Sequence, residues 1–385
     1  MKITNVEYLP VHDGRTAFFV VVHTDEGLYG VGECGLPRAH SKVNATAGMV
    51  QDFASILVGE DPFRIEDHWQ RMSRGFFFPH DRVAGSALAA IDIALWDILG
   101  KATNLPIYQL LGGRVRDKVV CYPHLGGGSA EQLAENALAA REEGWKFARF
   151  SPPTGREHFD PAAAIRGSVA QFEQLRKALG DTMELCSDVH TRLDPSEAIQ
   201  LCRAVEQYRP FFIEDPIRSE NPQSFRYLRQ HVHVPLAAGE QFASKWEFRQ
   251  FIEEDLIDYA RVDVCICGGI TESKKIANWA ETHYIKLAAH NPLGPVSSAA
   301  CLQLSLAVSN LGVMEQPQRP GRFMNNAVPV QVEWQDGYLL PPTRPGLGIE
   351  LDLEAARKLR YEPGDAESTG RHPSLRRIDG SFTNW

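Results

Sequence analysis

Asp188, Glu214 and Glu240 follow one another at a constant interval of 26 positions (214 − 188 and 240 − 214), and each closes a short apolar run: LCSDVH, FFIEDP and LAAGEQ. One strand, one helix and their loops fill such an interval. A repeat of that period predicts parallel strands whose C-terminal ends share one rim, as in a β/α barrel. Three carboxylates converging on the rim would make a hard-oxygen site suited to Mg²⁺. An acid after a strand also commonly caps the next helix; three at equal spacing, each after an apolar run, favour the metal.

The same rhythm extends in both directions. Strand candidates are VVCYPH (119–124), WKFARFS (145–151), MELCSDVH (183–190), PFFIEDP (210–216), PLAAGEQ (235–241), YARVDV (259–264), IKLAAH (285–290) and GVMEQP (312–317). Helical patterns such as SAEQLAENALAAREEG and PSEAIQLCRAVEQY lie between them. Eight βα units predict a closed (β/α)8-type, modified TIM barrel over residues 115–320. Ahead of it, residues 1–114 hold the alternating runs ITNVEYLPV and TAFFVVVHT, then helices, of which SALAAIDIALWDILGKA is the clearest. This predicts a small α+β domain that caps the barrel. Residues 321–385 lose the βα rhythm, carry a hairpin candidate at VPVQVEWQDGYLLPP, and are expected to return to the cap.

Composition excludes several classes. The formal charge is −9, against the basic face that a nucleic-acid partner requires. No run approaches the 18 or so apolar residues of a membrane span, and MKITNVEYLPV alternates like a strand rather than a signal peptide. Seven scattered cysteines, an odd number, read as reduced thiols of a cytoplasmic protein. Cys265 and Cys267 have no second pair beside them and read as packing residues. The glycines 126–128 lack the spacing of a dinucleotide loop, and no Walker motif, HExxH or nucleophile elbow is present.

Other polar residues fall at predicted strand ends. His190 stands two residues beyond Asp188, so alternation sends both to one side; it would face a metal-bound substrate as a catalytic residue, or pack behind the ligands. Asp263 and His290 end neighbouring strands; paired, the carboxylate would fix the imidazole's tautomer and raise its basicity. Unpaired, they would be two unrelated rim residues. Glu315 is a candidate hydrogen-bonding partner for substrate or intermediate, and Arg149 and Ser151 end the second strand, where Arg149 suits an anion or a hydroxyl-rich ligand, or stands as an exposed charge. Loops around Leu36-Pro37-Arg38 and Arg74–His80 are placed to close over the barrel mouth, or to serve as ordinary surface; the three consecutive Phe there fit packing better than substrate contact.

Together, AIDIALWDILGK, PIYQLLGG, the Asp188–Glu214–Glu240 series, CGGITE and PLGP resemble the enolase superfamily, and within it the mandelate racemase-like acid-sugar dehydratases. DVHTRLDPSEA, YRPFFIEDP, IEEDLIDYARVD and Arg149 resemble mannonate dehydratases; Asp263 with HNPLGP resembles galactonate dehydratases, where a His–Asp dyad is the base. Arg149-Phe150-Ser151 replaces the Lys-x-Lys of racemases and muconate-type enzymes, and His158 and Phe159 stand where mannonate dehydratases carry a tyrosine. The resemblance implies Mg²⁺-dependent dehydration of a six-carbon aldonate, galactonate- or gluconate-like, to a 2-keto-3-deoxy acid. His290 would take the C2 proton, and His190 would protonate the departing C3 hydroxyl. A mannonate dehydratase, a racemase or epimerase on the same metal, and a sugar-acid-binding protein without turnover are the alternatives. A symmetric homo-oligomer is the expected state.

Overall fold

The structure is a computed structural model describing residues 1–36, 40–75, 77–154, 158–361 and 375–383, with the side chains of 40–42 left out. Pro37, Arg38 and Phe76, named above as loop candidates, lie outside the described residues. An antiparallel sheet opens the chain, in the order β1 (Ile3–His12), β2 (Thr16–Thr24), β3 (Tyr29–Glu33). Four helices follow: α1 (His40–Leu57), α2 (Ile65–Arg74), α3 (Arg82–Thr103) and α4 (Ile107–Leu110). Asp81 caps α3 by accepting from Val83 N and Ala84 N at 2.9 Å, and Asn104 ends it in a left-handed turn. The backbone of β3 lies directly on this helix. A Cβ on Gly30 or Gly32 would stand 1.9 or 1.8 Å from the carbonyl oxygens of Ala94 and Ala90. Among the described residues α3 is the one helix long and apolar enough to cross a membrane; 78% of its apolar window is buried in protein, which accounts for the composition.

All eight βα strands form where the apolar runs placed them: β4 (Val119–Tyr122), α5 (Ala130–Glu142), β5 (Phe147–Phe150), α6 (Pro161–Leu179), β6 (Glu184–Asp188), α7 (Pro195–Val205), β7 (Phe212–Glu214), α8 (Pro222–Arg229), β8 (Leu236–Ala238), α9 (Lys245–Glu253), β9 (Tyr259–Ala260), α10 (Gly269–Glu281), β10 (Lys286–Ala289), α11 (Pro295–Ala307) and β11 (Leu311–Glu315). The strands run parallel in the order β4-β11-β10-β9-β8-β7-β6-β5. A parallel bridge from His124 to Arg149 and a 2.8 Å bond from Leu125 N to Arg149 O close the ring between β4 and β5. Tyr122, Phe147, Cys186, Phe212, Ala237, Tyr259, Ala288 and Val313 fill the barrel as one buried cluster.

The hairpin predicted at QDG forms as β12 (Trp334–Gln335) and β13 (Tyr338–Leu339), turning on Asp336 and Gly337, both at positive φ. It pairs antiparallel with β4 and so extends the barrel sheet. Past α12 (Leu353–Lys358), Leu359 O accepts from His12 N and Tyr361 N donates to Pro10 O, which binds the chain to β1. All seven cysteines are buried and free.

Candidate active site

Strand alternation builds the site from the barrel filling. Two residues beyond an inward-facing side chain, the next inward side chain emerges at the mouth. Tyr122, Phe147, Cys186, Phe212, Tyr259, Ala288 and Val313 are thus followed by His124, Arg149, Asp188, Glu214, Arg261, His290 and Glu315. The eighth strand departs from this: Ala237 is followed by Gly239 at φ 126, and the acid is Glu240, one residue later. The glycine conformation re-aims the chain.

Asp188, Glu214, Asp215, Glu240, Asp263 and Glu315 converge here, against the guanidiniums of Arg149 and Arg261. One carboxylate oxygen from each of Glu214, Asp215 and Glu240 lies within 4.8 Å of the other two. Asp188 sits beside Glu214 in the sheet, but its Oδ2 meets Arg149 Nη2 and His190 Nε2, the latter at 3.0 Å. The predicted set is therefore adjacent, with Asp215 drawn in and Asp188 paired to Arg149. Burial raises Glu214, Asp215 and Glu240; Arg261 offsets it at Glu214, whereas burial together with neighbouring acids carries Asp215, and Glu240 against the opposing His290, well above their ordinary range. Burial would raise Asp188 too, but Arg149 and His190 hold it below its usual value.

A buried, unneutralised carboxylate cluster is costly unless paired or bound to a cation. Glu214 Oε2, Asp215 Oδ2 and Glu240 Oε2 have no hydrogen-bond partner among the described residues, while Glu214 Oε1 has only the ion-pair contact of Arg261 Nε at 2.7 Å. These oxygens suit a hard divalent cation, and the donor set fits Mg²⁺.

Asp263 and His290 are brought together. A parallel bridge joins the two residues, and His290 Nδ1 donates to Asp263 Oδ2 at 2.7 Å. Because the carboxylate can only accept, Nε2 carries the free lone pair when the ring is neutral. That Nε2 faces Glu240 Oε2 at 3.4 Å and Glu315 Oε2 at 4.0 Å. Burial lowers the pKa of His290, but Glu240, Glu315 and Asp263 outweigh it and raise it to about 9. Across the mouth, His190 Nδ1 accepts from Arg192 Nη2 at 3.2 Å while Nε2 faces Asp188. Burial, then Arg149 and Arg192, hold His190 down to about 4 despite Asp188.

Glu315 is fully engaged. Its Oε1 meets His124 Nε2 at 2.5 Å, and its Oε2 accepts from Arg261 Nη2 at 2.5 Å and Asn291 N at 3.0 Å. Ser151 lies two residues beyond Arg149, its carbonyl accepting from Gln171. Sequence reasoning missed His124, Asp215 and Arg261, the last wholly buried with its Nε 2.7 Å from Glu214 Oε1. The i+2 alternation that placed His190 beside Asp188 would have found Arg261 beside Asp263. A cavity of about 790 Å³ runs outward from Glu240 and His290 past Phe242 to Leu36, Arg82 and Trp246.

Residues 132–356 match the family described as enolase C-terminal domain-like, and residues 8–112 match the mandelate racemase/muconate lactonizing enzyme N-terminal domain. The chain belongs to this enolase-superfamily family. Relatives include a D-mannonate dehydratase of Caulobacter vibrioides, 35% identical over the whole of both chains. A D-galactonate dehydratase of Ralstonia nicotianae is 36% identical, covering 95% of this chain and 96% of that one. In the same superfamily, the crystal structure of an enolase from Pantoea ananatis with bound D-gluconate and Mg superposes with a TM-score of 0.91, at 32% identity and full coverage of both chains.

Proposed function

We propose that this enzyme is an Mg²⁺-dependent hydro-lyase that converts a six-carbon sugar acid to a 2-keto-3-deoxy acid. The observation that carries the reading is the Asp263–His290 pair, with His290 Nε2 turned toward the acidic cluster. Relatives named for mannonate and galactonate, and the Pantoea ananatis protein with gluconate, support the substrate class.

Asp188, Glu214 and Glu240 are the acids that would hold Mg²⁺, with Arg149 releasing Asp188. Bound there, the ion supplies positive charge against the negative charge that builds on the substrate carboxylate. His290 takes the C2 proton at Nε2, and Asp263 holds the tautomer and stabilises the imidazolium. His190 gives a proton to the C3 hydroxyl, which leaves as water; the resulting enol tautomerises to the ketone. In the resting site His190 is neutral, and anionic charge gathering on the substrate is what draws a proton onto it. Arg149, Ser151 and Glu315 are the proposed substrate contacts, with His124 and Arg261 holding the Glu315 carboxylate in place. Each proton-transfer group contributes roughly 10²- to 10⁴-fold.

A panel of galactonate, gluconate and mannonate with Mg²⁺, read as release of 2-keto acid, tests the reading. Turnover of one or more members that stops on chelation is expected. Inversion at C2 without water loss would instead mark a racemase, and metal-dependent binding without turnover a binding protein.

A further inference from the structure

The His290–Asp263 pair is gripped from outside the barrel, by side chains that nothing in the reaction scheme uses. Glu33 ends β3 and is wholly buried. Its Oε1 accepts from Gly294 N at 2.7 Å and its Oε2 from Ser297 N at 2.9 Å. These are orphan donors at the start of α11. The segment they anchor, Asn291–Gly294, directly follows His290. From the β1–β2 turn, Arg15 Nη2 donates to Pro292 O in the same segment.

Asp92, buried in α3, does the corresponding work for the other partner. Its Oδ1 accepts from Thr271 Oγ1 at 2.5 Å and its Oδ2 from Thr271 N at 3.1 Å, at the start of α10. The turn between Asp263 and α10 is tied back to Asp263, whose carbonyl accepts from Ile266 N and Cys267 N and whose Oδ1 accepts from Cys265 N at 2.7 Å. Glycine makes both approaches possible. A Cβ on Gly294 would meet Glu33 Oε1 at 2.6 Å, and one on Gly269 would meet Asp92 Oδ2 at 2.3 Å.

We infer that Glu33 and Asp92 are positioning residues: through two helix N-termini, the N-terminal segment sets the alignment of His290 against Asp263. The inference rests on the base assignment proposed above. The anchoring is electrostatic and directional, since an ionised carboxylate accepts from two convergent donors at a helix start: two N–H groups at Glu33, and an N–H with a hydroxyl at Asp92. An amide of the same shape accepts one and turns a donor toward the other.

Glu33→Gln and Asp92→Asn test it, with Asp97→Asn as control. Asp97 is an equally buried carboxylate of α3, but it accepts from Val31 N and Leu347 N, away from the dyad. Burial pushes Glu33 and Asp92 up to about 7, so rates are taken at pH 8 with Mg²⁺ saturating. The expected result is a kcat lower by roughly 10- to 100-fold, within the range of a mispositioned general base. KM should change less than about threefold, and the isotope effect with C2-deuterated substrate should rise. Asp97→Asn, matched for loss of thermal stability, should keep kcat within about twofold. Equal kcat losses in all three variants would overturn the inference. So would a crystal structure of Glu33→Gln with residues 291–294 unmoved and the 2.7 Å Nδ1–Oδ2 contact intact. A wild-type chain that turns over no sugar acid defeats the functional reading instead, and the crystal structures then decide the positioning by themselves.

Discussion

Replacing Asp263 by asparagine removes one charge at nearly constant volume. The wild-type carboxylate is fully buried and accepts from His290 Nδ1 and from Cys265 N, each at 2.7 Å. An amide oxygen can serve only one of them. Turned to Cys265, it leaves an NH₂ facing Nδ1, which must then accept; the ring proton moves to Nε2, the atom meant to receive the C2 proton. Turned to His290, it sets NH₂ against the Cys265 N–H, an unmatched buried donor worth about 1–3 kcal/mol. Losing the charge-assisted bond removes about 1.5–3 kcal/mol of imidazolium stabilisation. That energy corresponds to a roughly ten- to two-hundred-fold drop in kcat. Deuterium uptake at C2 from heavy water, followed beside keto-acid release, is the assay. Both should fall together with KM near wild type. An Asp263→Asn enzyme exchanging its C2 proton at more than half the wild-type rate refutes the dyad.

His190→Asn should keep C2 exchange while dehydration falls by roughly 10²-fold or more; normal keto-acid release from that variant would remove His190 from the acid role. For the metal, Asp188→Asn should weaken Mg²⁺ binding in calorimetry by at least about tenfold and Asp215→Asn by less, and the reverse order would make Asp215 the third ligand. His290 should titrate near 9 in the metal-free protein, by NMR of labelled histidine against His290→Asn. Because Glu240 and Glu315 help hold that value up, Mg²⁺ in the cluster should move the midpoint down and leave Nε2 neutral at lower pH. An unmoved midpoint would place the ion elsewhere.

The barrel was legible because each of its strands is a compact apolar run that ends in a polar residue, and a period of that kind survives without any knowledge of contacts. Even β9, two residues long, was marked by YARVDV. Less legible was which polar residue faces inward. Arg261 was passed over inside a strand run, although it shares a face with Asp263. Asp215 has no sequence signal of its own beside Glu214, because its φ of 38° is a backbone choice no periodicity reveals. Glu240 was found for its spacing, yet it reaches the mouth only through Gly239. The pairing of Arg149 with Asp188 depends on side-chain reach across two strands, which lies beyond any pattern in one dimension.

The acids that enter the starts of α10 and α11 from β3 and α3 bear on how such proteins diversify. On the positioning proposed above, a hybrid that joined the first hundred or so residues of one relative to the barrel of another would lack a seat for the base, unless the donor carried a carboxylate of matching length opposite each glycine. Exchange of whole domains between lineages is then restricted at two buried positions, Glu33 and Asp92, neither of which lines the cavity that opens from Glu240 and His290.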